Sequence, residues 1–392
     1  METLIELFDE RPLENVLSTQ VFTPERTVFI CPPEIMRAER ERRAVRSYLA
    51  SKAPGSETVF ESADMYDAKD VLRALEAACE KYPSCVLDIT GGTDAALFAS
   101  GVFCARRNVP AFTYSRRSGC FYSINNAPFG EKRECDLRLS VEDCFLMAGG
   151  AVKRGRVDNA VLGKYLKFFD PFFGVYMRFR REWTSIVNYM QRVSAPVNGE
   201  ISLSVRGAYS VKSERGGLIR ANEGALEELR RIGFIKNVEI VPGESVSFRF
   251  RDAQIRTWLR DIGSVLETYV YKACLDTGAF DDVCTSVVVD WEGDLKQNNV
   301  TNELDVMATK GVMPVFISCK TGDLKTEALN ELAILRDRFG GRSAKAACVT
   351  CTKCQSITRH RASELNITVI DIDDLRKNRL HERLRALAEA EK

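Results

Sequence analysis

Histidine is nearly absent: the 392 residues include only His360 and His381. A Ser-His-Asp or Cys-His nucleophile, or a histidine-rich metal centre, therefore has almost nothing to draw on. No apolar run approaches the roughly 20 residues that cross a bilayer, so no membrane association is expected. An excess of one charge is also missing. The 56 Lys and Arg residues offset 55 Asp and Glu residues to a formal net charge of +1, and any affinity for nucleic acid must come from local basic clusters. No Gly-x-Gly-x-x-Gly follows the first strand, which argues against a dinucleotide-dependent dehydrogenase. Cysteine is plentiful, but its thirteen residues are odd in number and scattered through apolar segments. With no signal peptide, that usage predicts a reduced, cytoplasmic protein. Chemistry is left to carboxylates, lysines and a bound metal.

The length predicts two or three domains. In residues 1–150, short apolar strands (Thr3–Phe8, Thr27–Cys31, Thr58–Glu61, Cys85–Thr90, Ala111–Ser115) alternate with amphipathic helices near 12–20, 34–51, 67–81 and 94–107. This order predicts an α/β, doubly wound parallel sheet with its ligand loops at the strand C-termini. A further strand pair, Cys120–Ile124 and Leu137–Leu139, is expected at one edge. Residues 151–260 read as a connector. A helical stretch rich in aromatics and arginines (Tyr165 to Arg192) precedes a short helix, Asn222–Gly233, and a hairpin around Pro242-Gly243-Glu244-Ser245, a winged-helix-like pattern. Residues 261–392 return to α/β: a helix Asp261–Asp276, strands at Cys284–Asp290, Asn302–Ala308, Met313–Lys320, Ala346–Thr350 and Ile367–Ile372, and a helix Thr326–Phe339.

Two strands of that last region carry the sharpest chemical signal. Glu303-Leu304-Asp305 lies on one, and Ser318-Cys319-Lys320 ends the next after a short turn at Thr309-Lys310-Gly311. Alternation puts Glu303 and Asp305 on a common face, and likewise Ser318 and Lys320. Carboxylates and a lysine gathered at neighbouring strand ends can hold a divalent metal and organise a water for attack on a phosphodiester. Lys310, Lys325 and Arg342 are candidate phosphate contacts. The Arg178-Phe179-Arg180-Arg181 cluster beside Tyr176 and Trp183 suits single-stranded nucleic acid, and equally a helix with a buried aromatic face. Cys348, Cys351 and Cys354, at CxxCxxC spacing before His360, read as ordinary buried or loop thiols rather than a metal knuckle.

In the N-terminal region, Asp88-Ile89-Thr90-Gly91-Gly92-Thr93-Asp94 runs from a strand into a helix. Glycines there allow close backbone approach, and the free N–H groups of a helix start favour phosphate. A plain structural turn with a threonine cap gives the same letters.

At Asp305 and Lys320 the chain resembles the PD-(D/E)xK superfamily of restriction-endonuclease-like nucleases, and Leu266-Glu267 on the preceding helix fits the extra acid that many members carry. The resemblance implies that Asp305 ligands Mn2+ or Mg2+ together with the Cys319 carbonyl, and that Lys320 orients water or stabilises developing charge. Ser318 stands where the superfamily has an acid; Glu303 or Glu267 would supply the missing charge. The opening strand and its loop Asp9-Glu10-Arg11, together with Thr90-Gly91-Gly92-Thr93, resemble the CRISPR-associated Rossmann fold (CARF) domain. Together the two matches resemble the CARF–nuclease fusions of type III CRISPR ancillary effectors. What this implies is a homodimer that binds a cyclic oligoadenylate, cyclic tetra-adenylate, at Asp9, Glu10, Arg11, Thr90, Gly91, Gly92 and Thr93 and cleaves a nucleic-acid substrate. Asp94 departs from the lysine often found after Gly-Gly-Thr in such domains. An alternative stays open: a ligand-gated nucleic-acid-binding regulator with a decayed nuclease site.

Overall fold

In β1 (Thr3–Leu7) every residue is buried, and β2 (Arg26–Cys31) is buried in all but its first residue. Strands covered on both faces like these belong to the middle of a parallel sheet. The computed structural model describes residues 1–153, 159–196, 201–213, 216–296, 299–341 and 344–389; Arg342, and the stretch from Arg154 to Arg156, lie outside them. With β3 (Glu57–Ser62), β4 (Cys85–Asp88), β5 (Ala111–Ser115), β6 (Cys120–Asn125) and β7 (Lys132–Glu134), the first two strands form a seven-stranded sheet. Its order is β3-β2-β1-β4-β5-β6-β7, parallel through β5 and antiparallel beyond.

Helices Leu17–Phe22 and Glu39–Lys52 cover one side, where Leu17, Val45 and Leu49 join Leu4 and Phe29. Helices Ala68–Lys81 and Asp94–Arg107 cover the other, where Val71, Leu75 and Phe103 meet Ile5 and Leu87. The chain therefore leaves β1 and β4, which are neighbours, toward opposite sides. At that switch point residues 8–11 lie beside residues 89–93, the place where doubly wound sheets take their ligands.

The second strand of the expected edge pair lies at Lys132–Glu134, not Leu137–Leu139, because the hairpin register pairs Cys120 with Glu134. Leu139 is buried instead against the C-terminal part, its N–H donating to the Gly311 carbonyl at 2.9 Å. The two leucines mark an inter-domain contact rather than a strand.

β8 (Ala151–Lys153) is the first element beyond the N-terminal part, and it pairs with a strand of the C-terminal sheet. In the connector, helices Leu166–Arg178 and Trp183–Val193 bury Phe169, Phe172, Tyr176 and Trp183. A three-stranded antiparallel sheet of β9 (Ser204–Ala208), β12 (Ile235–Val241) and β13 (Ser245–Phe250) packs with the helix Glu223–Arg231 as the expected wing, beside a small pair β10 (Ser210–Lys212) and β11 (Leu218–Arg220).

The C-terminal sheet holds β14 (Asp282–Asp290), β15 (Thr301–Lys310), β16 (Met313–Lys320), β17 (Lys345–Thr350) and β18 (Ile367–Ile370), in the order β18-β17-β16-β15-β14-β8. β18 stops at Ile370 because the Asp371 carboxylate caps the next helix, Ile372–Arg376. Helix Ser264–Thr277 covers one face through Val265, Leu266 and Val270. Helix Thr326–Gly340 covers the other through Leu329, Leu332 and Phe339. That second face shares one continuous apolar cluster with Leu4, Phe8 and Phe145 of the N-terminal part.

Candidate functional site

The site forms where β15 and β16 part company. Their antiparallel register runs from Lys310↔Met313 to Val306↔Ile317 and stops there. Beyond that point the Asp305 carboxylate stands in for a ladder partner. Its Oδ2 accepts the Cys319 N–H at 2.6 Å and the Ser318 hydroxyl at 3.1 Å, and the Lys320 Nζ lies 3.5 Å away. All three bonds fall on one oxygen.

Strand alternation also breaks beside Asp305, yet Glu303 and Asp305 both act on the Glu267 carboxyl, so both stand on the side of its helix. Leu304 packs on the side of Phe316, whereas Val306 packs on the side of Ile317. Opposite this point Ser286 adopts a left-handed φ of 53°, and the register of β14 with β15 skips Ser286 and Asp305 between Thr285↔Val306 and Val287↔Leu304. The distortion lets Asp305 turn toward β16.

Burial is the largest single influence on the Lys320 ammonium and works against it, but Asp305 together with Cys319 and Cys348 outweighs it and the lysine's pKa is raised, so it stays protonated. Glu267 behaves oppositely. Its carboxyl is pushed up to about 8, first by burial and then by the charges of Asp305, Asp261 and Glu303. Glu303 itself is exposed. The Cys319 thiol is buried and its pKa is driven well above the ordinary thiol value by that burial and by Asp305 and Glu267, so the residue's contribution to a cation is its main-chain carbonyl.

This donor set fits a hard divalent cation. Carboxylates raise one another's proton affinity here, with Lys320 offsetting them only in part, and a cation would relieve that. Among the described residues no three His, Cys, Asp or Glu side chains form a metal-holding group. A metal would therefore rest on Asp305, Glu267 and a carbonyl, with water completing its sphere.

Lys310 ends β15 at its far end and pairs with Asp281 at 3.5 Å, which removes it from the site. Lys325 is exposed just past β16. The arginine and aromatic cluster serves the fold. Tyr176 and Trp183 are buried, Arg178 pairs with Glu228, and Arg180 donates to the Cys351 carbonyl. The Tyr176 hydroxyl donates to the Thr321 carbonyl at 3.3 Å, so the connector buttresses the loop after Lys320. Cys348, Cys351 and Cys354 are all buried, with Cys348 and Cys351 in different apolar clusters.

At the β1/β4 switch point the two expected loops meet. Gly91 and Gly92 lie against Leu7: a Cβ on Gly91 would come within 2.9 Å of its carbonyl oxygen, and one on Gly92, whose φ is +96°, within 2.9 Å of its Cβ. Asp9 is buried rather than turned to solvent. Its carboxylate takes the Arg11 Nε and Nη2 at 2.8 and 2.9 Å and the Gly92 N–H at 3.2 Å. Thr90 donates its hydroxyl to Asp88 and accepts the Tyr114 N–H at 2.8 Å. Thr93 caps the following helix and bonds the Met65 carbonyl. Glu10 and Asp94 are exposed.

Three features went unread in the sequence. Arg116, in the turn after β5, pairs with the buried Glu14, which Arg11 also approaches at 3.7 Å. Only the doubled arginine in a strand-to-strand turn hinted at it. Tyr66 and Phe98 stand 80% and 68% exposed near Thr93, beside the Met65 loop and on the helix that Thr93 caps. Single exposed aromatics carry no sequence signal.

Residues 256–389 match the family described as Card1-like, endonuclease domain. No curated protein sequence matches the chain. Among solved structures, protein VC1899 from Vibrio cholerae is similar with a TM-score of 0.75 and 17% identity, covering 100% of this chain and 99% of its own. Can2 from Sulfobacillus thermosulfidooxidans, solved in complex with cyclic tetra-adenylate, is similar with a TM-score of 0.74 and 17% identity, covering 100% of both chains. The two structural likenesses extend over the whole length and show a shared fold, while the endonuclease-domain match covers residues 256–389.

Proposed function

We propose that the chain is a cyclic-oligoadenylate-activated, metal-dependent nuclease that cleaves DNA, RNA or both in type III CRISPR antiviral defence. The observation that carries the nuclease half is the Asp305 clamp. One carboxylate gathers Ser318, Cys319 and Lys320 close to the partly buried acid Glu267. The sensor half is supported by the meeting of the Asp9 and Gly91-Gly92 loops at the β1/β4 switch point and by the likeness to Can2, a protein solved with cyclic tetra-adenylate.

Asp305, Glu267 and the Cys319 carbonyl would hold Mn2+ or Mg2+, with Glu303 adding negative charge. A divalent cation supplies there a Lewis acid for the scissile phosphate and lowers the pKa of bound water. Lys320, kept protonated beside Asp305, donates to the attacking water or to the charge that builds on the phosphoryl oxygens. In the cytoplasmic homodimer read from the resemblance, a ligand with its own two-fold symmetry would sit on paired sensor domains. It activates only if it binds the cleavage-competent arrangement more tightly.

The test incubates the protein with Mn2+ and labelled single-stranded RNA, single-stranded DNA or plasmid, with and without cyclic tetra-adenylate. Cleavage that needs the ligand and is lost in Asp305→Asn and in Lys320→Ala supports both halves. Cleavage at an equal rate with and without ligand keeps the nuclease and discards the gate. Tight ligand binding with no cleavage would favour the regulator reading, with Ser318 as the lost acid.

A further inference from the structure

Two carboxyl groups lie side by side in the heart of the N-terminal sheet. Glu6 of β1 and Asp88 of β4 are register partners on adjacent parallel strands, 1% and 2% exposed. Among the described residues, no lysine, arginine or histidine is recorded as an ion-pair partner of either. The side chains around them are hydroxyls: Thr19 donates to Glu6 at 2.8 Å and also bonds Thr27, while Ser18 donates to Asp88. Other titratable groups on this side of the sheet are neutral or already matched. Burial raises the pKa of Cys31 on β2 and of Tyr114 on β5, and Glu14 in the turn before helix Leu17–Phe22 is paired with Arg11 and Arg116.

The donors are shared unequally. Asp88 collects three: the Ser18 hydroxyl on Oδ2, and the Thr90 N–H at 2.8 Å and Thr90 hydroxyl on Oδ1. Glu6 draws on Thr19 alone, through its hydroxyl on Oε1 and more weakly through its backbone N–H, and among the described residues its buried Oε2 has no hydrogen-bond partner. An ionised carboxylate in such a place needs several donors, whereas a neutral acid does not. Two bare charges on neighbouring strands would also repel.

We infer that Glu6 and Asp88 hold a single proton between them at neutral pH, Glu6 as the neutral acid and Asp88 as the carboxylate, and that charged Asp88 is the positioning residue for the Thr90-Gly91-Gly92 loop. The path is short. Asp88 fixes both the N–H and the hydroxyl of Thr90, and the Thr90 hydroxyl in turn accepts the Tyr114 N–H, which ties the loop to β5. Burial raises both pKa values, with Asp88 at about 6 and Glu6 well above the ordinary value, in the order the donors imply. The link to ligand affinity rests on the sensor reading; the proton assignment and the loop order do not.

Because the folded state keeps these protons longer than the unfolded chain, the pair's contribution to stability is greatest at acid pH and declines as pH rises through the folded values. Glu6→Gln copies the neutral acid's shape. It is expected to melt at or above the wild-type temperature at pH 8, with the difference shrinking toward pH 5. In Asp88→Asn an amide N–H must face the Ser18 or Thr90 hydroxyl. That variant is expected to keep its secondary structure, to exchange the backbone amides of residues 89–94 at least tenfold faster, and to bind cyclic tetra-adenylate at least tenfold more weakly. A Glu6→Gln protein that melts well below wild type at every pH would place a charge on Glu6 and overturn the assignment. A folded Asp88→Asn protein with wild-type exchange at residues 89–94 would overturn the positioning role. Failure of wild type itself to bind the nucleotide would overturn the sensor reading, while melting and exchange still decide the inference.

Discussion

Asp305 and Lys320 face each other across two antiparallel strands at the point where their pairing ends, Nζ to Oδ2 at 3.5 Å. The Cys319 N–H lies closer to the same oxygen, at 2.6 Å. The carboxylate is thus held chiefly by the backbone, and Lys320, half-exposed, is free to swing toward a substrate.

Ser318 sets a first expectation. Its hydroxyl is one of three donors on Asp305 Oδ2, and loss of one such bond costs about 1 kcal/mol. Ser318→Ala should therefore lower the cleavage rate by no more than about tenfold, while Lys320→Ala and Asp305→Asn bring it to background. Rates measured at saturating metal check this. A Ser318→Ala variant as inactive as Asp305→Asn would make the hydroxyl itself part of the chemistry.

Glu267 predicts how the metal-free protein responds to pH. Its folded pKa of about 8 lies above the ordinary value of 4.5, so the folded state binds the extra proton between the two. Its contribution to stability is fully present below pH 4.5, falls as pH rises, and levels off beyond about 8. The total change is on the order of a few kcal/mol. Glu267→Gln should flatten that part of the decline, so that the variant melts higher than wild type at pH 8 in the presence of a chelator. Thermal melts from pH 5 to 8.5 read it directly.

Legibility in the sequence followed how local each feature is. The alternation of apolar strands with helices in residues 1–150, the Glu223–Arg231 helix with its hairpin, and the strands carrying Asp305 and Lys320 are set by patterns a few residues long, and they were readable. Leu137–Leu139 misled because an apolar run does not reveal whether it meets a sheet or another domain. The helix expected over 34–51 breaks at Ala38, a backbone turn with no glycine or proline at that residue to announce it. The turn of Asp305 toward β16 depends on Ser286, nineteen positions earlier. Glu6 and Asp88 looked like one residue in an apolar strand and another at a strand end; only the parallel register makes them neighbours.

Gly92 tests the loop at the β1/β4 switch point. Its φ of +96° is a region that side chains rarely adopt, and a Cβ there would press on Leu7. Gly92→Ala should cost about 1–3 kcal/mol and lower the melting temperature by several degrees, with a larger loss in cyclic tetra-adenylate affinity than in ligand-free cleavage. Calorimetric titration beside a cleavage assay separates the two effects. Equal affinity in a stable Gly92→Ala protein would remove this loop from the ligand site.

Arg40 is where a signal from sensor to nuclease can be sought. It lies on helix Glu39–Lys52, donates to the Trp291 carbonyl just past β14, and approaches Glu292 at 3.6 Å. The Trp291 indole N–H donates to Asn302 Oδ1 at 2.8 Å, and the Asn302 amide donates to Glu331 at 2.9 Å. Asn302 immediately precedes Glu303 on β15, so a shift of the sensor helix has a bonded route to the strand that carries Asp305. Proximity alone does not establish coupling; the test is energetic. If the route carries a typical coupling of about 1–3 kcal/mol, Arg40→Ala should cut the ratio of cleavage rates with and without cyclic tetra-adenylate by fivefold or more, while ligand-free cleavage stays near wild type. Asn302→Ala should act in the same direction, and the double variant should add little to either one. Full additivity would mean that the two residues act independently and that the signal travels through the shared apolar core instead.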